Sequence, residues 1–194
     1  MSASAALSIF NRLQEQVDGI HQIARQVDVS DGQVAQSLRR SAYVLAVAAL
    51  DTYFHEVAAV KLASAVSRAQ HEAARVANYV QNVSAVNLTS ASGPSYIRLR
   101  LSYKTLVAPR SVDAVIAAWG DDPMDVWMQY SLGQNSRPDR ERRRLELVYD
   151  RRNQIAHEAD WDSIELDFRD MSETHLVDCL TAVRQVAAGF DLLF

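Results

Sequence analysis

One cysteine, Cys179, is all the thiol this 194-residue chain carries, so it can build neither an internal disulfide nor a multi-cysteine zinc site. With 6 glycines and 4 prolines, turn punctuation is sparse. No glycine-rich phosphate loop, paired-glycine dinucleotide fingerprint, Gly-x-Ser-x-Gly elbow or His-Glu-x-x-His helix occurs. Lysine is nearly missing, with Lys61 and Lys104 set against 18 arginines. Long apolar runs are missing too: residues 42–50 form the longest, far short of the roughly 20 needed to span a bilayer. Residues 1–10 have no basic side chain ahead of an apolar stretch, so no secretory signal is expected. The expectation is a cytoplasmic protein with no membrane partner.

What remains is helix-forming and ordinary for a globular chain: 48% hydrophobic, 23% charged, net charge −4. That length fits one domain, residues 1–194, with a sizeable core. Apolar residues recur at three and four, which predicts an all-α, up-and-down helical bundle. A first helix is expected over residues 5–27, and a capping box at residues 30–33 then opens a long central helix reaching about residue 68. Further helices are expected over 72–83, 111–119, 123–132, 138–158 and 172–192, with loops at 89–95 and 132–138. Residues 96–104 alternate apolar and polar but lack a partner strand, leaving a short helix or an extended crossover.

Charge is unevenly placed. Arg137, Arg140, Arg142, Arg143, Arg144, Arg151 and Arg152 crowd one late helix, and eight carboxylates follow between Glu158 and Asp178. A basic segment beside an acidic one suits RNA, a second subunit, or simply a solvated helix face. Arg144 and Arg151, with Arg98 and Arg100 on the ambiguous segment, are the candidate RNA contacts.

Within that late helix stands Arg152-Asn153-Gln154-Ile155-Ala156-His157. Arginine offers a permanently charged planar fork for phosphate, and histidine titrates near neutrality. Together they suffice for RNA cleavage without a metal or cofactor: histidine handles a proton, and arginine stabilises charge building on phosphorus. Chance also supplies Arg169 and His175, six apart, but two features favour the first pair. Asn153 and His157 are four apart and share a helical face. Arg152 falls on the apolar seam of Leu145, Val148, Tyr149 and Ile155, where a guanidinium needs a partner or a cleft. Asp51 and His55, which interrupt the apolar middle of the central helix, are either a satisfied buried network or a support for the Arg152–His157 pair. His157, Glu158, Asp160 and Asp162 lack the glycine and distal glutamate of a calcium loop, so no metal is expected.

Residues five apart on a helix point about 140° apart and differ by about 7.5 Å in height. The pair therefore converges only if the helix ends near His157, or if two copies meet across a symmetric homodimer, the preferred arrangement.

The arginine, the polar residue after it, the spacer and the histidine resemble the motif of the HEPN superfamily. So does the order of elements, with an acidic residue after the apolar stretch of the central helix (Asp51) and the motif on a late helix. Most similar is the small stand-alone group called RiboL-PSP-HEPN. The resemblance implies a metal-independent endoribonuclease, typically a homodimer, acting as a toxin or in anti-phage defence under a protein antitoxin. It implies Arg152 as the transition-state stabiliser, His157 as general acid or base, Asn153 as a positioning group, and a 2′,3′-cyclic phosphate product. Arg151, adjacent, competes for the arginine role. Family members that only bind RNA, a nucleotide or a protein supply the alternative reading.

Overall fold

The structure, a computed structural model, describes residues 4–194. Among them are nine helices and one two-stranded ribbon, an all-α architecture. Helix α1 (Ala5–Val27) is capped by Ser4, whose hydroxyl accepts the Leu7 N–H at 3.1 Å, and buries Phe10, Val17 and Ala24 on one stripe. Helix α2 (Gly32–Arg68) is the long central helix. Its cap differs from the expected box: the Asp31 carboxylate accepts the N–H groups of Gln33 and Val34 at 3.1 and 3.0 Å, whereas Ser30 donates backward to the Val27 carbonyl. A carboxylate directly before the first helical residue satisfies two orphan donors that the shorter serine would have to share.

Helix α3 (Gln70–Val80) stands where a helix over 72–83 was expected but ends three residues early, and a short helix α4 (Ala85–Leu88) follows it. The break comes at Gln81 and Asn82, both in the left-handed region at φ 59° and 54°. Helix α5 (Gly93–Leu101) settles the ambiguous segment as helix and takes the end of the expected loop with it. Pro94 suits a first helical turn, and Ile97 and Leu101, four apart, are both buried. Gly93 is obligatory there, since a β-carbon would lie 1.8 Å from the Leu88 carbonyl oxygen. Helices α6 (Pro109–Trp119), α7 (Pro123–Gly133), α8 (Pro138–Glu158) and α9 (Glu173–Asp191) fall where periodicity put them. Between the last two lies a ribbon that periodicity did not show, β1 (Trp161–Asp162) paired antiparallel with β2 (Asp167–Phe168).

The chain packs as two compact units: the segment up to Leu50 with Arg143–Leu192, and Asp51–Arg142 with Leu193–Phe194. In the first, α1 and α9 run antiparallel, tied by His21 Nε2 to Glu173 at 2.7 Å and Arg184 to Asp18 at 2.5 Å. Its core holds Phe10, Tyr43, Val47, Leu145, Cys179, Val183 and Phe190. In the second, Asp113 is the polar centre. It accepts both terminal nitrogens of Arg142 at 2.7 and 2.6 Å and Trp127 Nε1 at 2.7 Å, while Arg142 stacks over the Trp127 ring. Arg68 and Arg75 donate to the carbonyls of Trp119 and Ala118, placing two cations on the negative end of α6.

An 18-residue window of α2 is long and apolar enough by composition to cross a membrane, yet 56% of it is buried within the structure, the pattern of a core helix.

Candidate functional site

The second half of α8 carries the motif. Its seam is closed at Leu145 and Val148, half-open at Tyr149, Arg152 and Ile155, and exposed from Ala156 onward. The expected apolar stripe thus runs out into solvent over the motif. Arg152 is half-buried there, and its Nη1 donates to Asn153 Oδ1 at 3.1 Å. Among the described residues no carboxylate pairs with it. His157 is exposed in the last turn, four residues after Asn153.

The helix stays regular through Glu158, so the first route to convergence, an early helix end, is not taken. Arg152 and His157 remain about 140° apart around the axis. Within one chain, Asn153 and His157 share a face, and Arg152 stems from another, its guanidinium reaching across to Asn153.

What ends the helix is Asp160. Ala159 and Asp160 both take left-handed backbone, at φ 53° and 61°, and the Asp160 N–H closes on the Gln154 carbonyl at 3.1 Å. The turn drives the Asp160 carboxylate to complete burial. There it receives Arg40 Nε at 2.7 Å and both terminal nitrogens of Arg151, one of them at 3.0 Å. Arg40 also donates to the Arg169 carbonyl at 2.6 Å and lies over the Phe168 ring. A carboxylate with two guanidiniums is a satisfied buried cluster, and it anchors the backbone three residues beyond His157. Arg40 escaped sequence reasoning, and Asp160 entered it only among carboxylates dismissed as cation ligands, not as a partner for arginine. Asp160 follows the last helical turn with no periodicity to mark it, and Arg40 looks like any polar residue on an amphipathic helix. Arg39-Arg40 in the first half of an otherwise apolar helix was the available signal.

The candidate RNA contacts separate. Arg151 is committed to Asp160 and, at 3.2 Å, to the Asp170 carbonyl. Arg144 donates to the neutral Gln185 at 2.5 Å. Both line one open cavity of about 680 Å³ in the first unit, with Arg169 and His175 on its wall. Taking about 100° per residue, Arg144, Leu147, Val148 and Arg151 form that face of α8. Arg152 lies about 100° round from Arg151, and His157 about 120° round in the other sense. The Arg169–His175 pair, set aside on sequence, is therefore grouped with Arg144 and Arg151 rather than with the motif.

In the second unit, Arg98 pairs with Glu56 at 2.7 Å, which raises its affinity for the proton further. Arg100 donates to the Val80 carbonyl at 3.3 Å and sits over Tyr103. Because α5 is helical, these two arginines point about 200° apart and form no single row. Asp51 and His55 also belong to this unit: Asp51 accepts the Leu106 N–H at 2.6 Å, and His55 Nε2 contacts the Lys104 carbonyl at 3.0 Å. Both brace the chain that follows α5. No group of three metal-ligating side chains stands together among the described residues.

Cys179 is buried under Tyr43, and burial pushes its thiol up to about 12. Burial likewise raises the Tyr43 hydroxyl well above its usual range, so neither group supplies a nucleophile near neutrality. Neither a curated protein nor a solved structure matches the chain. The model of the RiboL-PSP-HEPN family matches residues 5–186, nearly the whole of it, and the chain is a member of that family.

Proposed function

We propose that the protein is a metal-independent endoribonuclease whose active site is composed from two copies of the chain. The observation that carries this reading is Arg152: a half-buried guanidinium on an apolar seam, with Asn153 as its hydrogen-bond partner and no counter-carboxylate among the described residues. A permanent cation left uncompensated at such a position is suited to a phosphate. In the reaction, the RNA 2′-oxygen attacks phosphorus as a base removes its proton. The P–O5′ bond then breaks, the 5′-oxygen takes up a proton, and a 2′,3′-cyclic phosphate and a 5′-hydroxyl remain. His157 is the group that exchanges those protons, Arg152 stabilises the dianionic phosphorane-like transition state, and Asn153 orients the arginine.

The roughly 140° divergence within one chain supports a symmetric homodimer, where Arg152 of one copy meets His157 of the other. A nuclease of this kind fits a toxin or anti-phage effector restrained by a protein antitoxin. The same divergence supports a second reading, a module that binds RNA, a nucleotide or a protein and does not cleave. The test is incubation of total cellular RNA with purified protein in EDTA, wild type beside His157→Ala. Cleavage by wild type alone, leaving cyclic phosphate ends, is the expected outcome. RNA left intact by a folded wild-type dimer supports the binding module instead.

A further inference from the structure

We infer that the ribbon after α8 docks on the outer face of α5 in a second copy of the chain, a head-to-tail contact separate from the symmetric dimer of the composite site. Two exposed apolar surfaces of opposite charge carry it. On the ribbon, Trp161, Ile164, Leu166 and Phe168 all stand open to solvent, and such large side chains gain most from leaving it. Asp162, Glu165 and Asp167 lie among them, and residues 159–168 hold no cation. Asp167 accepts the Phe168 N–H at 2.7 Å, and among the described residues neither it nor Glu165 pairs with a cation. The root of the ribbon is fixed. The Trp161 and Phe168 rings meet edge to face with centroids 5.4 Å apart, and Arg40, held by buried Asp160, covers Phe168. A surface held in this way costs little further ordering on binding.

Helix α5 offers the complement. Tyr96 and Leu99, three apart on the helix, are exposed with Tyr103 just past its end, and Arg100 lies over the Tyr103 ring at 5.6 Å. The sequence around them is free of acids: residues 73–112 contain five cations and no carboxylate, in a chain whose net charge is −4. Arg98 is neutralised by Glu56, whereas among the described residues Arg100, Lys104 and Arg110 have no carboxylate partner. Apolar contact supplies affinity, and the opposite charges set the pairing, since ribbon against ribbon or α5 against α5 would bring like charges together. The ribbon is present at the same concentration as the face it fits. Because the two surfaces differ, each contact leaves one ribbon and one α5 face free, and association continues into a ring or an open chain.

Disulfide trapping tests it, because Cys179 is buried and an added surface cysteine is the reactive one. Leu166→Cys protein, mixed with Leu99→Cys protein and oxidised, should form the 166–99 bond about fivefold faster or more than it bonds to Gln16→Cys, at an exposed position of α1. It should also outrun the 166–166 and 99–99 bonds. Glu165→Lys in the Leu166→Cys protein should slow the bond about fivefold, the effect of making one exposed charge pair repulsive, and Arg100→Glu in the Leu99→Cys protein should restore it. A single protein bearing both cysteines should oxidise to a ladder of three and more copies. The inference is overturned if the 166–99 bond forms no faster than the Gln16→Cys control, if 166–166 bonds form as fast, if Glu165→Lys leaves the rate unchanged, or if the ladder stops at two copies. Vesicles of phosphatidylserine and phosphatidylcholine probe the other occupant: co-sedimentation that Arg100→Glu abolishes, without a 166–99 bond, gives the α5 face to an anionic lipid surface and overturns the inference as well.

Discussion

Three residues, two open to solvent and one fully buried, govern what mutations at the end of α8 will do. His157 is exposed and Arg152 half-buried without an acid, so removing either side chain leaves no buried charge stranded. His157→Ala should change stability by no more than about 0.5 kcal/mol in a urea melt while abolishing cleavage in EDTA, and Arg152→Ala should cost only about 1 kcal/mol. Asp160→Asn is the contrast. It strands Arg40 and Arg151 around a neutral amide in a fully buried site, and should cost about 3–5 kcal/mol by the same melt. The motif was legible because arginine, asparagine and histidine announce their chemistry by identity and spacing. Asp160 was not, since its importance comes from a left-handed turn and from an arginine 120 positions away. Cys179 adds a pH dependence. Its thiol is held up to about 12, above the ordinary thiol value of about 8.5. The folded state therefore binds more protons than the unfolded one between those values, and this contribution to stability, whole below about 8.5, is lost as pH rises toward 12. Thiol labelling at pH 8 should be slow in buffer and fast in denaturant.

Among the elements, most helices were readable to within a residue or two, and the stretch from Gln70 to Leu101 was not. The limits of α1 follow from Ser4 as cap and the spacing of Phe10, Val17 and Ala24. The split of α3 from α4 turns on Gln81 and Asn82 adopting left-handed backbone, which neither residue type demands. In α5 the two-residue alternation of 96–104 suggested a strand, yet Ile97 and Leu101 satisfy a helix equally well, and the absence of a partner strand decides it. Gly93→Ala should destabilise the second unit strongly, by several times the ordinary helix cost of about 1 kcal/mol, because a β-carbon meets backbone at Leu88. The ribbon after α8 is held by Asp162, whose carboxylate accepts the N–H groups of Ile164 and Glu165 at 2.9 and 3.3 Å. Those bonds draw its pKa below the usual carboxylate range, so the turn keeps this support above about pH 4 and loses it as pH falls through the lowered value. Amide exchange at Ile164 and Glu165 followed from pH 5 downward should report the loss.

At the scale of the whole molecule, family membership extends over residues 5–186, and with it the all-α fold. The single cysteine rules out an internal disulfide and a multi-cysteine zinc site. Association is where sequence and single-chain geometry stop, because a regular α8 leaves Arg152 and His157 facing apart. The proposed composite site predicts a particular mixing result. Arg152→Ala and His157→Ala proteins, each inactive alone, should regain RNA cleavage after co-refolding, since a mixed dimer keeps one arginine and one histidine for the same cleft. A mixture as inactive as its parts would place both groups in service of one copy. The ribbon offers a different use of the molecule. Ile164 is 86% exposed and Leu166 70%, at the tip of two strands of two residues each, between the helix that bears the motif and the helix that closes the first unit. A chain interrupted there keeps every helix intact, so the two pieces, fused to proteins of interest, should reassemble when those proteins meet, and the proposed RNA cleavage would become the readout of their encounter.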